Sequence, residues 1–205
     1  SVPFGLAQTF SAFPGTVVIS PASLQAYLGD VLESLIRTGF KYIVVVDNHA
    51  GNGPVVRQLA WEIRQRHSLT IARLFPYGLG KDLGRDLFTE GTSHWGHGSE
   101  PVVTLAAALV PGDLRMDLAH EDDFHQFAGF ETAGLDLKSM TGPNATVYLD
   151  YADHSRSGIK GDPRGADGER GRAYIDRIVD RATAFVEAFR RSNTQVPPAK
   201  VSVNA

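Results

Sequence analysis

The 205 residues carry 20 Lys and Arg against 23 Asp and Glu, and a net charge of −3 is no electrostatic footprint for nucleic acid or an anionic membrane. Cysteine is absent, which excludes disulfide scaffolds, thiolate zinc sites, iron–sulfur clusters and cysteine nucleophiles, and leaves His, Asp and Glu as the strong metal ligands. The longest apolar runs, such as residues 42–46, fall far short of the roughly 20 residues a membrane helix needs, so the expectation is a soluble, cytoplasmic protein with one sizeable core.

Residues 1–4 have neither the basic nor the apolar region of a signal peptide. Ser20-Pro21 then offers an N-cap followed by proline at the first helical position, and Leu24, Leu28, Val31, Leu32 and Leu35 recur at helical spacing up to Gly39. Residues 42–46 form a short β-branched run of the kind buried on both faces of a parallel sheet. A polar turn over 47–54 leads to a second amphipathic helix, with Val56, Leu59, Ala60 and Ile63 on one face, and then to a strand within 69–75. This alternation predicts an α/β fold with a largely parallel sheet. Further on, residues 90–99 read as a Gly/Thr/Ser/His loop, 102–110 as an apolar helix and 113–136 as a polar, acidic region. Residues 155–171, rich in Gly, Asp and Arg, read as an extended surface loop. The clearest helix follows, with Ile175, Ile178, Val179, Ala182, Phe185, Val186 and Phe189 in one stripe. The expected organisation is a single domain over residues 1–191 and a tail over 192–205.

Ligands in open α/β sheets bind at the carboxyl ends of strands, so the turn after residues 42–46 is the first candidate site. His49 lies there between Asn48 and Asn52, and Gly51 and Gly53 allow a ligand close to the backbone. The alternative is a structural, hydrogen-bonding histidine. The second candidate is His94-Trp95-Gly96-His97-Gly98-Ser99-Glu100, which joins two imidazoles, an indole and a carboxylate. His94 and His97 suit metal binding or proton transfer, and Trp95 suits the wall of a planar substrate. The alternative here is a helix capped by Ser99 behind a surface loop, with Glu100 favoured by the helix dipole. His120, Glu121, Asp122, Asp123 and His125 lack the two-histidine spacing of a helical zinc motif and read as a solvated acidic turn. Tyr148, Asp150, Tyr151 and Asp153 line a pocket or form a strand and its exit, and the role of His154 stays open.

Four stretches in this order and spacing resemble the creatininase (creatinine amidohydrolase) family. They are Phe13-Pro14-Gly15-Thr16 with Ser20-Pro21, Asp47-Asn48-His49-Ala50-Gly51-Asn52, His97-Gly98-Ser99-Glu100 with the following helix, and Gly158-Ile159-Lys160-Gly161-Asp162-Pro163. The resemblance implies a three-layer α/β/α sandwich around a mostly parallel sheet. It also implies a hydrolase of cyclic amides, formamides or related C–N bonds in small molecules, a divalent metal pair (Zn, Mn or Fe) in each subunit, and a homo-oligomer, usually a hexamer. His49 falls on a metal-ligand position of that family, and His97 on that of its catalytic histidine. Glu100 is expected to share in catalysis, and Asn52, Gly51 and Trp95 to bind substrate. The family's Glu-Gln-His-Gly and Gly-Thr-Asp ligand motifs have no match, so the expectation is that a strand–helix unit preceding Phe4 supplies the other ligands. Some members carry a second-metal Glu where Gly51 stands, many carry a Glu where Val102 stands, and a histidine is frequent in the stretch occupied by Gln8-Thr9-Phe10. These departures set up a rival reading, a non-catalytic scaffold or binding subunit. A third reading is hydrolysis of a C–C or lactone bond on the same fold.

Overall fold

Ser20 caps α1 (Pro21–Arg37) as its sequence predicts: its Oγ accepts the Ser23 N–H at 3.0 Å, and Pro21 occupies the first helical turn, where a missing N–H costs nothing. The computed structural model describes residues 1–80, 82–88, 96–123, 125–129, 132–133, 136–137 and 148–199. By its packing the chain divides into two compact units. One comprises residues 1–6, 18–79 and 179–205, the other residues 7–17 and 80–178.

In the first unit, α1 leads to strand β1 (Val44–Val46), helix α2 (Gly53–His67), strand β2 (Ala72–Leu74) and the short helix α3 (Pro76–Gly80), which ends at the unit boundary. β1 and β2 pair in parallel, with Val44 opposite Ala72, Val45 opposite Arg73 and Val46 opposite Leu74. A parallel pair needs a crossover, and α2 supplies it. Leu24 and Leu32 of α1, Ile43, Val55, Leu59 and Ile63 of α2, and Leu69 and Ile71 form one buried cluster. Each such side chain contributes about 1.5–3 kcal/mol when fully buried. Ile63 has no exposed surface, so truncation to Ala removes about 2–5 kcal/mol.

The strand differs from expectation on one side. Val45 packs on the core, but Val46 is 60% exposed and Tyr42 is exposed as well. Among the described residues no third strand joins β1 and β2, and the half-covered Tyr42 ring meets Phe189 edge-on at 6.0 Å. The segment expected to be a tail is anchored at Thr194. Its carbonyl accepts the Thr70 N–H at 2.8 Å, its Oγ1 donates to Lys41 O at 2.7 Å, and the residue is buried.

The second unit contains helix α4 (Val102–Leu109), the two-residue strands β3 (Thr132–Ala133) and β4 (Asp136–Leu137), which pair antiparallel, and the first part of helix α5 (Gly168–Arg191). Phe88, Tyr174 and Ile178 form its buried apolar cluster. Residues 155–171 are not an extended surface loop. Ser155, Gly161, Asp162 and Pro163 are buried, a 3-10 turn spans Pro163–Gly165, and α5 begins at Gly168. Composition misled here because the polar groups are satisfied internally. Ser155 Oγ accepts the Gly158 N–H at 2.9 Å and donates to Ile159 O at 3.2 Å, and Asp162 accepts the Arg164 N–H at 2.9 Å.

Candidate functional site

The His49 loop is built from the end of β1. Asp47 is buried there and collects several donors: Arg73 Nε at 2.8 Å and Nη2 at 2.6 Å on Oδ2, and Asn52 Nδ2 at 3.0 Å and the His49 N–H at 3.1 Å on Oδ1. Burial of a carboxylate is tolerable only with such partners. Asn52 also accepts the Leu6 N–H through Oδ1 at 2.8 Å. Both ends of its amide are thus used in shaping the loop. His49 itself is exposed and extended in backbone, and a 3-10 turn over Ala50–Asn52 follows it. A Cβ on Gly51 would lie 3.0 Å from His49 Cε1 and 3.3 Å from Leu6 O, so the absence of a side chain there makes room for the imidazole.

The His97 loop belongs to the second unit and is held by residues 158–160. Gly158 O lies 2.6 Å from His97 Nδ1, the Lys160 N–H donates to His97 O at 2.7 Å, and Ser99 Oγ donates to Lys160 O at 2.6 Å. Ser99 is therefore not a side-chain cap of α4, and the N-cap position is Pro101. Gly96 is required by close approach, since a Cβ there would sit 2.2 Å from Lys160 O. Gly158 adopts a φ of +83°, the left-handed region that glycine enters without penalty, and this turn aims its carbonyl at the imidazole. A carbonyl oxygen only accepts, so His97 carries a proton on Nδ1, and in the neutral ring Nε2 presents the lone pair.

Glu100 is 4% exposed. Its Oε1 accepts from Arg170 Nη2 at 2.6 Å and from Thr104 Oγ1 at 2.8 Å, while Thr104 Oγ1 accepts the Asp167 N–H at 3.0 Å. The carboxylate joins the start of α4 to the start of α5.

Sequence reasoning named Tyr151 as a pocket-lining candidate but did not bring it or Phe10 to His97. Phe10 stacks on the imidazole with centroids 5.0 Å apart and planes at 21°. Tyr151 lies 4.7 Å from the same ring and 4.7 Å from Phe10, and His154 lies 4.9 Å behind Tyr151. Tyr151 sits on a 3-10 turn (Tyr151–Asp153) closed by a capping box between Asp150 and Asp153. Tyr151 and His154 are each 1% exposed, whereas Tyr148 is 88% exposed. Burial pushes the Tyr151 phenol up and the His154 imidazole below its ordinary range, the latter partly countered by Asp153. The acidic turn is not wholly solvated either: Asp122 pairs with Gly161 through both backbone groups and accepts from Ser157 Oγ, which lowers its carboxyl. The only sequence signal for these contacts was the Tyr/Asp alternation over 148–153.

His49, Gly51 and Asn52 therefore share one loop, and His97 and Glu100 another, each within its own unit. His94 and Trp95 lie outside the described residues. Among the described residues, no three His, Asp or Glu side chains converge as a metal site. His49 supplies one imidazole, which does not by itself make the donor set of a hydrolytic metal.

The fold is that of the creatininase structures. Its solved relatives include a candidate creatinine amidohydrolase from Bacteroides fragilis NCTC 9343, with a TM-score of 0.69 and 21% identity over 88% of this chain and 66% of that one. A manganese creatininase matches with a TM-score of 0.63 and 24% identity, covering 87% of this chain and 68% of the other. A mutant creatininase of Zn–Zn type matches with a TM-score of 0.63 and 22% identity, covering 90% and 71%. At these identities the likeness shows the fold, the α/β sandwich that the family resemblance implies. The chain spans about two thirds of the length of these proteins. No curated protein matches the sequence. The chain belongs to the creatininase family: residues 1–186 match its sequence profile, described as creatinine amidohydrolase.

Proposed function

We propose that this chain carries part of a metal-dependent hydrolase of the creatininase type that cleaves a C–N bond, as in a cyclic amide or formamide, of a small molecule. The observation that carries the reading is the fixed imidazole of His97. With Nδ1–H held on Gly158 O, Nε2 is ready to take a proton from an attacking water or return one to a leaving nitrogen. A divalent ion in such a hydrolase supplies hydroxide at near-neutral pH and a polarised carbonyl. His49 is proposed as one ligand of that ion, Zn, Mn or Fe, and the rest of the donor set lies beyond the described residues. The family's fold, and relatives solved in manganese and Zn–Zn forms, support this reading. Glu100 is proposed to act by position, since Arg170 and Thr104 engage its Oε1. Gly51 and Asn52 shape the His49 loop, and with Trp95 they remain the proposed contacts to substrate. Homo-oligomeric assembly is part of the same proposal.

A second reading, a creatininase-fold subunit without catalysis, is favoured by Gly51, Val102 and Phe10, which stand where the family resemblance leads one to expect Glu, Glu and a histidine. Both readings are tested on the protein expressed with its native flanking sequence, by elemental analysis for bound Zn, Mn and Fe and by hydrolysis of creatinine, other cyclic amides and formamides. The hydrolase reading expects stoichiometric metal and turnover of one of these amides that falls at least about 100-fold in H97A. A metal-free protein that hydrolyses none of them overturns it.

A further inference from the structure

We propose that Phe10 and Tyr151 are positioning residues for His97: their rings hold the imidazole against the Gly158 carbonyl and so keep it as the Nδ1–H tautomer with Nε2 available. This rests on reading His97 as the proton-transferring histidine of the hydrolase. The tautomer decides the chemistry, because an Nε2–H imidazole has no lone pair at the exposed end and does not act there as a base.

The carbonyl contact alone does not explain the fixed ring. His97 is exposed, so water competes for both of its nitrogens, and rotation about the side chain exchanges one orientation for another. Contacts among three rings, the imidazole and its two neighbours, restrict that freedom. Phe10 and His97 stack at 5.0 Å and 21°, Phe10 and Tyr151 at 4.7 Å and 27°, and Tyr151 meets His97 at 4.7 Å and 49°. Each ring touches the other two, so the imidazole cannot leave its plane beside Gly158 without giving up both aromatic contacts, and of the two ring flips that keep those contacts only one sets Nδ1–H on the carbonyl. Tyr151 is in turn a rigid wall. It is buried, its turn is closed by Asp150 and Asp153, and His154 backs it. The His97 backbone is separately fixed by the Lys160 N–H, which leaves the side-chain torsions as the freedom for the rings to suppress. Phe10 reaches the ring from a distant segment of the sequence, on the 3-10 turn Gln8–Phe10.

The test is a nitrogen–proton long-range correlation spectrum of the imidazoles in the full-length protein at about pH 9, well above the ordinary imidazole range, assigned with H97N, in wild type, Phe10→Leu, Tyr151→Leu and Tyr151→Phe. Wild type is expected to show a single His97 pattern with pyrrole-type Nδ1 and pyridine-type Nε2. Phe10→Leu is expected to lose that pattern to an averaged mixture of tautomers, as is Tyr151→Leu where it folds. Tyr151→Phe keeps the ring and restores the wild-type pattern. A wild-type His97 that is Nε2–H, or a Phe10→Leu protein whose His97 pattern is unchanged, overturns the proposal. The spectrum needs no substrate, so this outcome is distinct from failure of the hydrolase reading, which the metal and amide assays report.

Discussion

Arg170 reaches from the first turn of α5 to place Nη2 2.6 Å from Oε1 of Glu100, whose side chain is almost wholly buried. A buried carboxylate is costly without its partner, so the pair ties the His97 loop to α5 even where its net contribution to stability is small. Arg170→Ala is expected to destabilise the fold by about 2–4 kcal/mol, somewhat below the loss for a fully buried pair because Arg170 is partly exposed. Urea denaturation checks this. Glu100→Gln in the same background is expected to recover part of the loss by removing the stranded charge, and a double mutant no more stable than Arg170→Ala would contradict the account.

Asp47 is the corresponding anchor of the His49 loop, with Arg73, Asn52 and the His49 N–H converging on it. Asp47→Asn keeps the shape but removes the charge that Arg73 meets. The expected cost is about 1–3 kcal/mol, read as a lower denaturation midpoint. Amide hydrogen exchange at residues 48–52 should rise with it, and unchanged protection there would show that the loop is held by other means.

Gly96 tests the clamp between the two segments around His97. A methyl group at this position would meet the backbone of Lys160, which has no flexible end to move aside. Gly96→Ala is expected to cost about 1–3 kcal/mol or more and to weaken the His97–Gly158 contact. Thermal denaturation together with the His97 imidazole spectrum measures both effects, and a variant as stable as wild type would place the loop differently.

His154 predicts an acid limit to stability. Its imidazole is 1% exposed, and desolvation depresses its affinity for a proton in the folded state. The unfolded chain therefore binds the proton first as pH falls. The stability associated with neutral His154 is complete above about pH 6.5 and is lost progressively below it. In denaturation midpoints measured from pH 7.5 to 5, His154→Gln should show a shallower decline than wild type. Equal slopes would assign the acid sensitivity to other groups.

Local chemistry made much of the framework legible. The Ser20 cap with Pro21, the apolar spacing along α1 and α2, and the helix ending near Arg191 all depend on neighbours within a few turns, and the structure has them as expected. The parallel pairing of β1 and β2 follows from the helix between them. The segment 155–171 was not legible, because composition records how polar a segment is and not which groups satisfy it. Ser155 and Asp162 look like surface residues in the sequence and are buried in the fold.

By itself, then, the sequence determined the α/β class, the family and the two loops that present His49 and His97. Tertiary structure decided the state of the second histidine. His97 and Gly158 are 61 residues apart, and Phe10 and Tyr151 come from still other segments. No periodicity or motif links positions so far apart. Only folding sets a carbonyl oxygen at hydrogen-bond distance from Nδ1 and two rings against the imidazole, and those contacts select which nitrogen holds the proton.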